Sequence, residues 1–152
     1  MSEFAAKCVL IVADDEMANR MVATGNFGLV GLDEDDEEKM IEAEDGDEAL
    51  EALDNAQDSE DPIIMLLDLH MPPGKGGDGA AIAVQEKWDE YKRKPFLVCC
   101  SAEVLEDLKA KPWADNFHYF AKKPLMQDVA QEIHDECQKW FEAGKPAKWK
   151  YE

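Results

Sequence analysis

Five short apolar runs alternate with helix-length amphipathic segments, and the third run, residues 63–67, constrains the fold most. All five of its residues, IIMLL, are apolar, so as a strand it offers no face to water. Such a strand belongs inside a parallel sheet covered by helices on both sides. The run then ends in Asp68 and opens at once into a loop rich in Pro and Gly, HMPPGKGGDG. Packing gives no reason for a carboxylate there. In open α/β sheets the carboxyl ends of the strands are where ligands bind, so Asp68 is a candidate working residue.

The alternation continues along the chain. Strands are expected at residues 7–13, 39–44, 63–67, 95–102 and 118–122. Helices are expected at about 17–27, 47–55, 80–91 and 104–110, with a last helix carrying the apolar stripe Val129, Ile133, Cys137, Trp140 and Phe141. The first of these helices is expected to turn Met17, Met21 and Val22 inward, and the third Ile82, Ala83 and Trp88. Alternating strands and helices give an α/β fold, a doubly wound parallel sheet with helices on both faces. One domain, residues 1–143, accounts for the pattern, followed by an extended tail, residues 144–152, with three lysines.

Charge narrows the partners. With 35 acidic against 16 basic side chains the formal net charge is -19, which repels nucleic acid and anionic membranes. Part of the excess is local, in the acidic run 33–38 and in three more acids within 57–61. No stretch reaches membrane-spanning length, and the N-terminus has neither the charge nor the apolar length of a signal peptide. Cys8, Cys99, Cys100 and Cys137 lack metal-ligand spacing and read as small core residues of a reduced, cytoplasmic or nucleoplasmic protein.

The strand ends carry the chemistry. Asp14 and Asp15 follow the first strand, Asp68 the third, Ser101 the fourth and Lys123 the fifth. In a doubly wound sheet these ends share one edge. Three close carboxylates repel one another unless a cation sits among them, and an all-oxygen donor set suits Mg²⁺ first and Mn²⁺ second. A hydroxyl and an ammonium beside that cation suit the outer oxygens of a phosphoryl group. The simplest arrangement puts the phosphoryl group on Asp68 as an acyl phosphate.

Taken together, Asp14-Asp15, Asp68 with LHMP, AEDGDEAL at residues 43–50, Ser101-Ala102 and Lys123-Pro124 resemble the receiver domains of two-component response regulators. Asn19-Arg20 in DDEMANR resembles receivers attached to hybrid histidine kinases. The resemblance runs from Lys7 to about Ala143 and implies the five-stranded flavodoxin-like fold. It implies that Asp68 is the phospho-acceptor, that Asp15 binds Mg²⁺ directly, and that Asp14 does so directly or through water. The backbone carbonyl of His70 would be a further metal ligand. Ser101 would hydrogen-bond the phosphoryl group, Lys123 would pair with it, and Phe120 would stand at the aromatic switch position together with Ser101.

The implied partners are a histidine kinase or histidine phosphotransfer protein and a downstream protein. The latter would bind the face made by the fourth expected helix, the fifth strand and the last helix. Two other functions use the same residues: a receiver-like binding module that is not phosphorylated, and a haloacid-dehalogenase-like phosphatase. The phosphatase family needs an aspartate two residues after its nucleophile, where this chain has His70. The loop after Asp68 is about three residues longer than the family's usual turn, and Lys75 with its flanking glycines is expected to be mobile beside the phosphoryl site.

Overall fold

The computed structural model describes residues 3–149. Strands β1 (Val9–Ala13), β2 (Met40–Ala43), β3 (Ile63–Asp68), β4 (Pro95–Ser101) and β5 (Tyr119–Lys122) form one parallel sheet in the order β2-β1-β3-β4-β5. Between and around them run α1 (Glu3–Lys7), α2 (Met17–Val30), α3 (Gly46–Asn55), α4 (Gly77–Glu86), α5 (Leu105–Lys109) and α6 (Gln127–Glu142). Single 3₁₀ turns lie at Trp88–Glu90 and Ala114–Asn116. The chain steps outward from β1 to β2, then returns past β1 to β3. That reversal opens a crevice at the carboxyl ends of β1 and β3.

Every residue of β1, β3 and β4 is buried, as a central parallel strand requires. The stripe on α6 is core: Ile133, Cys137 and Trp140 are fully buried, with Val129 and Phe141 at its margin. The four cysteines are free and buried. Burial pushes the thiols of Cys8 and Cys99 up to about 12, which keeps both protonated at neutral pH.

Two helix faces differ from expectation. On α2 the buried residues are Arg20, Ala23, Phe27 and Val30, whereas Met17 and Met21 are 63% and 61% exposed and Val22 is also exposed. The methionine side is apolar without being covered, because α2 reaches the sheet and α6 through its opposite face. On α4 Ala80, Ala81 and Val84 face the sheet, while Ile82 is exposed and Ala83 half-buried. Small side chains let that helix approach β3 closely, so bulk is a poor guide to its inner face. Trp88, expected on the same helix, is buried, but from the 3₁₀ turn that follows.

Two segments go beyond the expected elements. Helix α1 precedes β1 and sets Phe4 edge-on to His134 and Phe141 of α6, with ring centroids 5.6 and 5.5 Å apart. Helix α4 begins at Gly77 rather than Ala80, so part of the glycine loop is helix.

Candidate functional site

Asp14 follows β1 directly. Its backbone N–H donates to the Ala43 carbonyl at 3.0 Å, as if β1 continued one residue further. Its Oδ1 accepts the Glu16 N–H at 2.9 Å and Asn19 Nδ2 at 3.4 Å, which fixes the turn leading into α2. Below it, the buried Arg20 donates Nη1 to the Asp14 carbonyl at 2.7 Å and Nε to Glu42 at 2.9 Å. Arg20 thus ties the β1–α2 turn to β2, a positioning role that the motif Asn19-Arg20 marked without explaining. A charged side chain is rarely buried unless it is paired, so its placement is specific.

Asp68 is the last residue of β3 and is 7% exposed. Carboxylate oxygens of Asp14, Asp15 and Asp68 all lie within 4.8 Å of one another. Lys123, reached at the end of β5, holds two of the three: Nζ lies 2.7 Å from Asp14 Oδ2 and 3.0 Å from Asp68 Oδ1. Burial raises the carboxyl pKa of Asp68, and the neighbouring charges of Asp14 and Asp15 add to the rise while Lys123 opposes it. Burial also works against the charge on Lys123, but its hydrogen bonds to Asp14 and Asp68 outweigh this and raise its pKa. The crevice therefore holds more negative charge than one ammonium balances.

Ser101 ends β4, and its carbonyl accepts the Lys123 N–H at 2.9 Å, so the two strand ends are locked together. Its hydroxyl is turned to Glu103, accepting that residue's N–H at 3.1 Å and donating to Oε2 at 3.3 Å. The His70 imidazole stands exposed at the rim, with Nε2 3.6 Å from the same Glu103 oxygen. Phe120 is buried on β5, its ring tilted against Phe117 at 5.8 Å. The structure thus brings Asp14, Asp15, Asp68 and Lys123 into one cluster, sets Ser101 beside it, and leaves Phe120 away from it along β5.

The loop after Asp68 does not reach into the crevice. The Lys75 carbonyl accepts the Gly46 N–H at 2.7 Å, and Lys75 Nζ lies 3.9 Å from Asp47, so the residue is turned toward the start of α3. Gly77 explains the glycines: a Cβ there would meet the Asp68 carbonyl oxygen at 2.5 Å. Where the loop passes into α4, Gly77 therefore packs closely against the backbone of the phospho-acceptor candidate, with Lys75 turned toward α3.

No protein-family model and no curated protein sequence matches the chain. Solved structures do. A CheY-like response regulator receiver domain from Methanospirillum hungatei JF-1 aligns with a TM-score of 0.66 at 17% identity, covering 90% of this chain and 98% of that one. The receiver domain of NtrX from Brucella abortus gives 0.63 at 19% identity, covering 86% and 98%. The chemotaxis response regulator CheY4 of Vibrio cholerae gives 0.62 at 20% identity, again covering 86% and 98%. The strand order and the crevice define a flavodoxin-like α/β protein. Within that class, its fold is that of the response-regulator receiver domains, in keeping with the motifs.

Proposed function

We propose that this protein is a phospho-accepting signalling domain of a two-component or phosphorelay system, with Asp68 as the acceptor. The observation that carries the reading is the buried Asp68 carboxylate, 3.0 Å from Lys123 Nζ and clustered with Asp14 and Asp15. Burial and two like charges oppose the ionisation of Asp68, and carboxylates perturbed in this way cluster at functional sites.

The donor is a phosphohistidine on a histidine kinase or phosphotransfer protein. An Asp68 oxygen attacks phosphorus, the P–N bond breaks as the P–O bond forms, and the imidazole leaves with a proton from solvent. Lys123 then exchanges its bond to the Asp68 carboxylate for one to a phosphoryl oxygen. The Ser101 hydroxyl turns from Glu103 to another. Asp14, Asp15, Asp68 and the His70 carbonyl would hold Mg²⁺, or Mn²⁺, since three oxygen donors with excess negative charge fit a hard divalent ion. Such an ion, when bound, neutralises the charge gathering on the phosphoryl oxygens. The chain catalyses only its own phosphotransfer and the later loss of phosphate to water. Shifts of Ser101, Phe120 and Lys123 would be read by a downstream protein on the face of α5, β5 and α6. A cytoplasmic or nucleoplasmic setting goes with this role.

Incubation with acetyl phosphate and Mg²⁺ tests the proposal. Mass spectrometry should find one base-labile phosphoryl group on Asp68 and none in Asp68→Asn. Ser101→Ala and Lys123→Ala should each slow phosphotransfer by about 10- to 1,000-fold, the usual worth of a preorganised donor. Stoichiometric phosphate on the Asp68→Asn protein would sink the assignment. Absence of any phosphate on the wild type would favour the binding-module reading.

A further inference from the structure

Helix α6 does not release the chain into solvent. Gly144 and Lys145 both adopt positive φ, 98° and 57°, and turn the chain back along the helix. The next residues are held by side chains of the domain, among them the buried Trp140 and His118. Trp140 donates Nε1 to the Pro146 carbonyl at 2.9 Å. The Ala147 carbonyl lies 2.8 Å from Gln85 Nε2 and 3.0 Å from His118 Nε2. His118 Nδ1 accepts the Leu97 N–H at 2.9 Å, so Nε2 carries the proton and donates. Lys148 reaches the Asp115 carbonyl at 3.3 Å, and Trp149 Nε1 reaches Glu136 at 3.2 Å. Residues 145–149 thus form a strap fixed to α4, α6 and the approach to β5.

β5 is where the strap and the crevice meet. It is an edge strand, hydrogen-bonded in the sheet to β4 alone. His118, the strap's anchor, immediately precedes its four residues, and Lys123 immediately follows them. Trp149 and Phe120 line the same groove, of about 550 Å³, beside the 3₁₀ turn Ala114–Asn116. An edge strand supported on one side is the part of a sheet best able to shift, and the strap braces this one from beyond the sheet. In the arrangement so braced, Lys123 is engaged with Asp14 and Asp68 rather than free for a phosphoryl group.

We propose that the strap, residues 145–149, opposes phosphorylation by holding β5 in its resting position, and that it loosens when Asp68 is phosphorylated. This rests on the function proposed above. Coupling between two sites is reciprocal: if phosphorylation loosens the strap, weakening the strap must favour the phosphorylated state by the same factor.

The test uses the full chain and beryllofluoride with Mg²⁺ as the phosphoryl mimic. Trp149→Ala, far from the crevice, should bind the mimic about 5-fold more tightly or better, the lower end of usual coupling. In the wild type, tryptic cleavage after Lys148 should accelerate when the mimic is added; Lys145 precedes proline and is not cut. Unchanged or weaker binding by Trp149→Ala, or cleavage indifferent to the mimic, would overturn the strap while leaving Asp68 its role. A wild type that binds no mimic at all would overturn both.

Discussion

At the scale of single residues, His118 gives the sharpest test outside the crevice. Burial lowers its pKa from 6.5 to about 4, against the favourable bond to the Ala147 carbonyl. Below about pH 6.5 the unfolded chain gains a proton that the folded chain does not take up. Its contribution to stability is therefore complete above pH 6.5 and is lost as pH falls toward 4, at up to about 1.4 kcal/mol per pH unit. Nitrogen-15 NMR should show the Nε2–H tautomer at pH 7 and no titration of this ring above about pH 5. A midpoint near 6.5 would contradict the buried, doubly bonded ring. The contrast with Asp68 shows which residues a sequence reveals. A carboxylate ending an apolar run is conspicuous because nothing in packing explains it. His118, beside an ordinary apolar strand, carries no such signal: its partners, Leu97 and Ala147, are 21 and 29 residues away. Arg20 was marked by its motif, but its role was not legible, since Glu42 on β2 is 22 residues away.

Among elements, the strands were the most legible and the inner faces of helices the least. β1, β3 and β4 are buried throughout and apolar up to the polar residues that end β3 and β4, so no inner face has to be chosen for them. On α2 two sides are apolar, and periodicity cannot choose between them when one holds a buried arginine and the other carries exposed methionines. On α4 the choice is made by size. Its first glycine is where the helix passes under β3, and this yields a paired prediction. Gly77→Ala places a Cβ against the Asp68 carbonyl oxygen at 2.5 Å and Leu67 at 3.0 Å, so backbone must shift. It should cost about 1–3 kcal/mol, as overpacking does. Gly79→Ala meets only the flexible side chain of Lys75, its nearest atom 3.0 Å away, and removes glycine from a helix. It should be neutral or stabilising by up to about 1 kcal/mol. Urea denaturation of the two variants measures the difference; equal stabilities would mean that α4 has room to move away from Asp68.

For the whole molecule, a net charge of -19 means that folding compresses like charges, and salt should relieve them. The melting temperature should rise with NaCl. Millimolar MgCl₂ should raise it further than NaCl of equal ionic strength, because three carboxylates converge in the crevice. That extra gain should disappear in Asp15→Asn, whose side chain is exposed; its persistence would place the ion elsewhere. The acidic segments 33–38 and 57–61 lie at the opposite end of the strands from Asp68. Six-residue β3 separates the two rims by roughly 20 Å, at about 3.3 Å per residue. Exposed charges are screened within about 8 Å at physiological salt. The acidic rim thus lies more than two screening lengths from the crevice, so charge added or removed there should leave Mg²⁺ affinity in the crevice little changed.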